Sequence, residues 1–378
     1  MRKKKVIFIP NIITPYEIPL FNHIYKEGGF YFKVIALAET EKNREWQLAK
    51  EKIEFDWDIL PGWHLFFQTK RREIPIHLNI GVLRKLLKYK PDTIITSGYD
   101  SLAYWVAFFY CKIFKKKYIL WNGTTLLSAG RIKGLRGVLK KIIIRGADKC
   151  IAYGIKAKEY LEYFGADSKD IYIGTNTVDV NFFYERVLEY RNSKSFLEER
   201  KKFPKIMLLY VGRLVKMKGV EQVLRALNTL NDSDIGFMIV GSGPEEENLK
   251  KFCKENNLKN VYFEGFRQQN ELSRYYALAD VFILPTFEDV WGLVVNEALA
   301  SGLYVLCSKY AGAAYDLINN ENGMIFNPNN IDEIAELIKN TKNQIKLIKS
   351  KREKISSWAK NNLSIEKSGD AFISAIKS

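Results

Sequence analysis

Short apolar runs alternate along this chain with longer stretches in which hydrophobic residues recur at helical spacing. This alternation is typical of a parallel β-sheet covered by helices. In the first half, the predicted strands are Lys5 to Ile9, Phe32 to Ala36, Thr93 to Thr96, Tyr118 to Trp121 and Lys149 to Ala152. The predicted helices between them are Pro19 to Lys26, Leu78 to Lys88, Ser101 to Phe114 and Ile155 to Phe164.

A second series of the same kind fills the other half of the chain. Its predicted strands are Lys205 to Val211, Ile235 to Val240, Val261 to Glu264, Val281 to Leu284 and Tyr304 to Cys307. Its predicted helices are Val220 to Asn228, Glu246 to Asn256, Gln269 to Ala279, Val294 to Ala300 and Ile331 to Ile338.

The chain is long enough for two domains, because its 378 residues are 47% hydrophobic and can bury two cores. We predict an α/β protein with two doubly wound, Rossmann-like domains that face each other across a cleft at the carboxyl ends of their strands. The predicted ranges are 1–180 for the first domain, 181–204 for a charged interdomain connection and 205–355 for the second domain. Residues 356–378 are predicted to form a C-terminal helix that packs back on the first domain.

Positive charge is concentrated in the first half of the chain. The formal net charge is +16, and residues 1–178 hold 31 Lys and Arg against 17 Asp and Glu, whereas residues 179–378 hold 28 against 26. A basic half-molecule favours anionic partners such as nucleic acid, lipid headgroups or phosphorylated acceptors. Charge alone does not choose among them.

Two basic segments of the first half also carry apolar residues. They are Arg131 to Arg145, with the sequence RIKGLRGVLKKIIIR, and Gly62 to Phe67 beside Lys70, Arg71 and Arg72. Such segments predict contact with an anionic membrane surface. A buried apolar face with solvated lysines would give the same pattern.

The cysteines show neither a disulfide framework nor a metal site. Cys111, Cys150, Cys253 and Cys307 lie far apart, without a CxxC pair or a nearby histidine. We therefore expect reduced thiols. The apolar run after the first five residues contains Pro10, and no run is long enough to span a bilayer. The predicted location is the cytoplasm, with peripheral attachment to the inner face of the cytoplasmic membrane.

A cationic turn follows the first strand of the second half. The turn reads GRLVKMKG, in which Gly212 permits a tight bend and Arg213 and Lys218 lie just before a helix. Helix N-termini favour anions, and two cations there suit a diphosphate. A solvated basic turn would have the same sequence, so this segment alone leaves both interpretations open. The later glycine turn, GSGPE with Gly243, is a weaker signal of the same kind.

Carboxylates surround the next strand-to-helix turn, in the segment VFILPTFEDVWGLVVNEALASG. Glu288 and Asp289 lie in the turn, Gly292 precedes the helix and Glu297 lies one to two turns into it. Carboxylates can accept hydrogen bonds from vicinal hydroxyls of a sugar or a ribose. Acids near a helix start are also ordinary capping residues.

In their order along the chain, these motifs resemble those of glycosyltransferase family 4, whose members have the GT-B fold. The resemblance covers most of residues 205–330 and rests on GRLVKMKG, GSGPE, VYFEGF, LADVFILPTFEDVWGLVVNEALASG, AGAAYDLI and NENGMIFNP. It implies a retaining, metal-independent transferase whose nucleotide sugar is a substrate, so that neither a metal nor a cofactor is expected.

The resemblance also implies roles for individual residues. Arg213 and Lys218 would bind the donor diphosphate, Glu297 the ribose hydroxyls, and Asp289 or Glu288 the sugar. The remaining donor-side candidates are Gly212, Gly243, Phe266, Gly292, Gly312 and Ala313. The chain departs from the family pattern at two places, because Asp289 replaces the first glutamate of a pair and Gly312-Ala313 replaces a double glycine.

The first half carries a thinner resemblance. Its first turn contains Asn11 where the family often has glycines, and Asn122 lies where many members have a histidine. We expect Asn11, Asn122 and Tyr99 to lie on the acceptor or sugar side, although Asn122-Gly123 is also an ordinary turn. His23, His64 and His77 are expected on helices or loops as surface or packing residues.

The predicted function is transfer of a hexose-type sugar from a UDP- or GDP-sugar to a lipid-linked or polysaccharide acceptor in cell-surface glycan biosynthesis. A dehydrogenase is disfavoured because no GxGxxG follows the first strand. No nucleic-acid partner is predicted, because no known binding module is present. An epimerase of the same fold, or an inactive nucleotide-sugar-binding protein, remains an alternative.

Overall fold

The computed structural model describes residues 2–41, 48–68, 73–129 and 134–378, and the chain divides into two units. The first unit contains Met1–Asn176 and Ile365–Ser378, and the second contains Thr177–Ser364. Lys70, Arg71, Arg72 and residues 131–133 of the predicted basic segments lie outside the described residues.

The first unit is an α/β layer structure. Its strands are β1 Lys5–Ile9, β2 Tyr31–Ala36, β3 Asp56–Ile59, β4 Trp63–Gln68, β5 Glu73–Leu78, β6 Thr93–Thr96, β7 Lys117–Asn122, β8 Lys149–Ala152 and β9 Ile171–Ile173. Its helices are α1 Ile18–Glu27, α2 Val82–Tyr89, α3 Leu102–Ile113, α4 Leu126–Ala129, α5 Leu135–Gly146 and α6 Ile155–Tyr163, and it also includes the last helix of the chain, Ile365–Lys377.

The strands of the first unit form a parallel sheet in the order β3-β2-β1-β6-β7-β8-β9, and β4 and β5 form a separate antiparallel hairpin. Alternate residues of β1 enter different cores, because successive side chains of a strand point to opposite faces. Ile7 and Ile9 pack with residues of α2, α3, α5 and α6. Val6 and Phe8 pack with residues of α1 and of the last helix. Both faces of this sheet are therefore covered.

The second unit repeats this plan with a smaller sheet. Its helices are α7 Val180–Arg191, α8 Lys194–Arg200, α9 Val220–Leu230, α10 Glu246–Glu255, α11 Gln269–Leu278, α12 Leu293–Ala300, α13 Ala314–Leu317, α14 Ile331–Asn343, α15 Ile345–Ser350 and α16 Arg352–Asn362, so that the last helix of the chain is α17. Its strands are β10 Ile206–Val211, β11 Ile235–Val240, β12 Val261–Gly265, β13 Val281–Leu284, β14 Tyr304–Ser308 and β15 Gly323–Phe326.

These strands form a parallel sheet in the order β12-β11-β10-β13-β14-β15. Strands β10, β11 and β13 are buried at every position, and buried parallel strands read as continuous apolar runs. The two parallel sheets confirm the predicted fold class of two Rossmann-like α/β units.

Several elements differ from the sequence predictions. Residues 181–204, predicted as an interdomain connection, contain most of α7 and all of α8 and are part of the second unit. Leu78 ends strand β5, whereas a helix had been predicted to begin there, and helix α2 starts only at Val82. The two units meet in sequence at residue 177 rather than at residue 180, and α17 belongs to the first unit, where it packs against α1.

All four cysteines are buried free thiols. Burial raises the pKa of Cys111 and of Cys150 to about 12, so both thiols stay protonated at neutral pH. Within the described ranges, every helix falls short of the combined length and apolarity that a bilayer-spanning segment needs.

A buried carboxylate holds the helices of the second unit against its sheet. Asp280, just before β13, is 2% exposed and accepts hydrogen bonds from Arg200 at 2.8 Å, Arg352 at 2.8 Å and the backbone N–H of Met207 at 3.0 Å. Lys349 lies 2.9 Å away. Burial would raise the pKa of Asp280, but the attraction of these cations outweighs it and holds the pKa below its usual value. Helices α8, α15 and α16 thus share one anion.

We predict that Asp280→Asn lowers the free energy of unfolding by about 3 to 5 kcal/mol, because three cations lose their buried counter-charge. Urea denaturation at neutral pH measures the loss. The matched control is Glu221→Gln, which removes the exposed ion pair of Glu221 with Arg225. It should lower the free energy of unfolding by less than about 0.5 kcal/mol. The gap between wild type and Asp280→Asn should shrink as the pH falls below about 4, because the unfolded carboxyl is protonated there while native Asp280, with its lowered pKa, is still ionised. A pH-independent gap would contradict this account.

Candidate functional site

The order of the second sheet creates a topological switch point between β10 and β13. These strands are neighbours, but the chain leaves β10 towards β11 on one side and leaves β13 towards β14 on the other. Ligands of such sheets bind outside the carboxyl ends of the strands at this point. The β10 turn (residues 212–219) and the β13 turn (residues 285–292) follow these two strands, and they contain most of the predicted donor residues.

The β10 turn is locked to the turn that follows β11. Leu214 donates its backbone N–H to the carbonyl of Ser242 at 2.8 Å, and Gly212 donates to the carbonyl of Val240 at 3.0 Å. A Cβ at Gly241, whose φ is +142°, would lie 1.9 Å from the carbonyl oxygen of Gly212. Glycine is therefore required at position 241 for the two turns to approach each other.

The β10 turn is also locked to the β13 turn. The carbonyl of Met217 accepts from the backbone N–H of Phe287 at 2.8 Å and from the hydroxyl of Thr286 at 3.1 Å. Gly219 has φ +66°, and a Cβ there would lie 2.1 Å from the carbonyl oxygen of Pro285. These contacts fix the short 3-10 turn Lys216–Lys218 against the end of β13.

This arrangement brings two predicted catalytic side chains into contact. Nζ of Lys218 donates to Oδ2 of Asp289 at 2.5 Å, and Oδ1 of Asp289 accepts from the backbone N–H of Trp291 at 3.2 Å. The side chains of Lys218 and Asp289 are 21% and 18% exposed. The pair is thus partly shielded, but solvent still reaches it.

The turn after β14 joins the same site. Gly312 donates to the carbonyl of Asp289 at 3.1 Å, and Ala313 donates to the carbonyl of Trp291 at 3.0 Å. A Cβ at Gly312 would lie 2.2 Å from the carbonyl oxygen of Val290, so the first of the two positions must be glycine. Ala313 is buried, and the structure accommodates its methyl group where the family pattern has a second glycine.

Glu297 is the fifth residue of helix α12 and is 0% exposed. Its Oε2 accepts from the hydroxyl of Tyr276 at 2.6 Å, and Tyr276 comes from helix α11. Gly292, with φ +100°, caps the start of α12. The structure therefore places Glu297 inside the helix packing, whereas Asp289 is accessible. Sequence reasoning did not find Tyr276, because no motif signals a contact between two separate helices.

The remaining donor-side candidates lie at the ends of neighbouring strands. Arg213 and Glu288 are half-buried residues of the β10 and β13 turns. Gly243 has φ +157° and packs against the carbonyl of Leu214. Phe266 follows β12, where Gly241 donates to the carbonyl of Gly265 at 2.8 Å. The sheet order thus brings all of these candidates to one edge of the second sheet.

The first unit brings its three candidates to the ends of β1, β6 and β7, which are adjacent strands. Oδ1 of Asn11 accepts from the hydroxyl of Tyr104 at 2.5 Å. The hydroxyl of Tyr99 lies 2.8 Å from that of Tyr160. Asn122 is 3% exposed and donates to the carbonyl of Thr124 at 3.1 Å, so its amide stabilises its own turn.

The histidines are placed differently from the prediction. His23 is on helix α1, as expected, but His64 and His77 face each other across the hairpin of β4 and β5, with Nδ1 atoms 3.0 Å apart. Nε2 of the buried His77 lies 3.3 Å from the carboxylate of Glu41. Burial and the neighbouring His77 lower the pKa of His64. The sequence signal that could have predicted this pairing is a pair of histidines thirteen positions apart, each between two apolar residues.

Within the described part of the chain, no cluster of three or more His, Cys, Asp and Glu side chains is arranged to hold a metal ion.

The second unit matches a known family. Residues 193–362 match the family model described as Glycosyl transferases group 1. This part of the chain is therefore similar to the glycosyl transferases of group 1, and the similarity supports the predicted class of transferase enzyme.

Related sequences include uncharacterized glycosyltransferases of Methanocaldococcus jannaschii. One is 32% identical over 44% of this chain and 43% of its own length. Another is 24% identical over 97% of both chains. The match thus spans less than half the length of the first relative and almost the whole of the second.

The fold is similar to that of HepE from Anabaena, which was crystallised in complex with UDP and glucose. The TM-score is 0.75 at 16% sequence identity, and the match covers 99% of this chain and 100% of HepE. This similarity confirms the predicted GT-B fold.

We predict that Gly219→Ala lowers the free energy of unfolding by more than Gly29→Ala does. Both glycines have similar positive φ values, +66° and +72°, but a Cβ at Gly29 meets nothing within 4 Å. Gly29→Ala is the control. It should lower the free energy of unfolding only by the cost of holding an alanine at positive φ, about 1 to 2 kcal/mol. Gly219→Ala must also displace the carbonyl of Pro285. Urea denaturation of both variants measures the difference, and equal losses would show that the β10 and β13 turns are not rigidly locked.

Proposed function

We propose that this chain, whose second unit carries a glycosyl transferases group 1 domain, is a retaining glycosyltransferase. It transfers a hexose-type sugar from a UDP- or GDP-sugar to a lipid-linked or polysaccharide acceptor in cell-surface glycan biosynthesis. The observation that carries the proposal is the contact of Lys218 with Asp289 at the switch point between β10 and β13. A cation for the diphosphate and a carboxylate for the sugar are adjacent there.

The cations of the β10 turn bind the donor diphosphate in this proposal. Arg213 and Lys218 lie just before helix α9, which begins at Val220 with Gly219 as its N-cap. The free N–H groups of a helix start favour an anion, and the two side chains add charge-assisted hydrogen bonds. Together they stabilise the negative charge that develops on the leaving nucleoside diphosphate without a metal ion. HepE, which has the same fold, binds UDP, and this supports a nucleotide donor.

Asp289 acts on the transferred sugar. When a diphosphate approaches Lys218, the cation is shared between two anions, and Asp289 is released to accept a hydrogen bond from a sugar hydroxyl. Its backbone is held by the turn after β14, through the bonds to Tyr310 and Gly312 at 3.1 Å. The carboxylate therefore keeps its place when its cationic partner is engaged elsewhere.

Glu297 binds the ribose hydroxyls. The Tyr276 hydroxyl holds one carboxylate oxygen in place, which orients the side chain. Because Glu297 is closed off from solvent, donor binding must move the residues that cover it. This requirement distinguishes Glu297 from Asp289.

The acceptor side belongs to the first unit. Asn122 stands where many relatives of family 4 have a histidine, so the leaving phosphate takes the proton of the acceptor hydroxyl in a front-side displacement that retains the anomeric configuration. The basic character of residues 1–178 supports an anionic, lipid-linked acceptor and a cytoplasmic location at the inner face of the membrane.

The direct test is incubation of the purified protein with UDP-, GDP- and dTDP-sugars together with extracted lipid-linked acceptors. Nucleotide release that depends on the acceptor, with an unchanged anomeric configuration by NMR and full activity in EDTA, is the expected result. Inversion at the anomeric carbon would contradict the retaining mechanism. Epimerised nucleotide sugar, or binding without turnover, would instead favour one of the two alternative functions.

We expect Lys218→Ala to lower kcat/KM by about 30- to 1,000-fold, on the order of 2 to 4 kcal/mol, because the leaving diphosphate loses a cation. Lys216→Ala is the matched control, since Lys216 is an exposed lysine of the same 3-10 turn. Steady-state kinetics of nucleotide release measures both variants. Equal effects of the two substitutions would mean that only the overall charge of the turn matters.

We expect Glu297→Gln to abolish turnover while the free energy of unfolding changes by no more than about 1 kcal/mol. The companion variant Tyr276→Phe removes the same buried hydrogen bond but keeps the carboxylate, so it should retain turnover. Turnover, donor affinity by titration calorimetry and urea denaturation are measured for both. If both variants keep wild-type turnover and donor affinity, Glu297 has a structural role only.

A further inference from the structure

Helices α2, α3 and α5 lie on the same face of the first sheet. Their inward residues, among them Leu86, Phe108 and Ile144, belong to one core cluster. Helix α2 packs against α3, and Gly146 at the end of α5 approaches the ring of Phe108 in α3. The outward sides of these helices therefore form one continuous surface, here called the α2-α3-α5 face.

This face is positively charged. As the structure bounds them, the three helices have the sequences VLRKLLKY, LAYWVAFFYCKI and LRGVLKKIIIRG, which contain no Asp or Glu. Their solvent-exposed cations are Arg84, Lys88, Lys112, Arg136, Lys141 and Arg145. Part of the charge imbalance of the first half of the sequence is thus located on this face.

The same face also exposes large apolar side chains. Single exposed leucines are ordinary, but a concentration of them is informative. Ile113 is 73% exposed and Phe109 is 51% exposed. The other large apolar residues with comparable exposure on these helices are Leu83, Leu87, Leu102, Val138, Leu139 and Ile142.

The hairpin next to this face continues the pattern. Strand β5 packs against α3, and Trp63 of β4 is 67% exposed. Ile80, between β5 and α2, is also exposed. Tryptophan is enriched where a protein meets the headgroup layer of a membrane.

The opposite face of the sheet is different. Helices α1 and α17 cover it, and both contain acidic residues. Among the described residues of these two helices, Tyr25 is the sole large apolar side chain with high exposure. The combination of cations with exposed apolar groups is therefore a property of one face and not of the whole unit.

The charge decides between possible occupants of the α2-α3-α5 face. A second copy of the chain would bring the same cations into contact, and like charges across an interface are repulsive. Nucleic acid would match the charge but would leave the isoleucine, leucine and phenylalanine side chains unused, because such interfaces are polar. An anionic lipid surface satisfies both features, since cations meet phosphate groups and apolar side chains enter the acyl boundary.

We propose that the α2-α3-α5 face is a docking surface for a bilayer that contains anionic phospholipids. This inference deepens the proposed function, because it places the first unit, which takes the acceptor, at the surface that carries a lipid-linked acceptor. The binding itself requires neither donor nor turnover. It can therefore be tested separately from catalysis.

The test is co-flotation of the full chain with vesicles of phosphatidylcholine alone or of phosphatidylcholine with phosphatidylglycerol. We expect recovery with the anionic vesicles, little with the neutral ones, and a decrease as salt is raised. Equal recovery with both kinds of vesicle, or with neither, would overturn the proposal. A salt-dependent dimer in place of vesicle binding would overturn it as well.

Two double variants locate the surface. Arg84→Glu with Lys141→Glu should weaken binding to the anionic vesicles by about thirtyfold or more, and Leu87→Asp with Ile113→Asp should abolish insertion. The matched controls are Lys259→Glu and Leu197→Asp, which change an exposed lysine and an exposed leucine of the second unit. Circular dichroism confirms that each variant is folded. Loss of binding in the controls, or its retention in both double variants, would refute the assignment.

Nucleotide release from a soluble acceptor analogue distinguishes the proposed docking surface from the proposed transferase function. Retained release by the double variants, together with lost vesicle binding, supports a docking role that is distinct from catalysis. If wild type binds vesicles but releases no nucleotide from any donor, the docking surface stands and the proposed transferase function fails.

Discussion

Parallel pairing in the second sheet is the constraint on which the site depends. Because every ladder from β12 to β15 runs in the same direction, all of the strands end at one edge. Residues that are far apart in sequence, such as Lys218 and Asp289, are therefore brought together by strand order alone. The Asp280 cluster lies at the start of β13, at the other end of that strand, so the anchoring of the helices does not compete with the site for the same residues.

Much of this fold could be predicted from the apolar runs. Strands such as β11 and β13 are buried on both faces, so they appear in the sequence as uninterrupted hydrophobic segments. The hairpin of β4 and β5 was missed because WHLFFQ does not alternate strictly and Pro75 interrupts EIPIHL, so neither segment has a clear strand pattern. Helices α7 and α8 were missed because their charged composition resembles that of a linker.

The candidate site was predictable where it depends on local chain geometry. Gly212, Arg213, Lys218 and Asp289 occupy turns that follow strands, and a turn can be recognised from its glycines and charges. The partner of Glu297 was not predictable, because the contact with Tyr276 depends on how two helices pack. Asn122 was correctly located at a strand end, but the sequence did not indicate that its amide would bond to Thr124.

The interlocked glycines limit where this architecture can diversify. Positions 219, 241 and 312 each face a carbonyl group that leaves no space for a side chain, whereas a Cβ at Gly265, after β12, would meet no atom within 4 Å. A substitution at Gly265 would therefore meet only the backbone cost of its positive φ, +70°, and would not disturb the contacts between the other turns. A substitution library at this edge of the sheet would therefore begin after β12 rather than in the turns after β10 and β14.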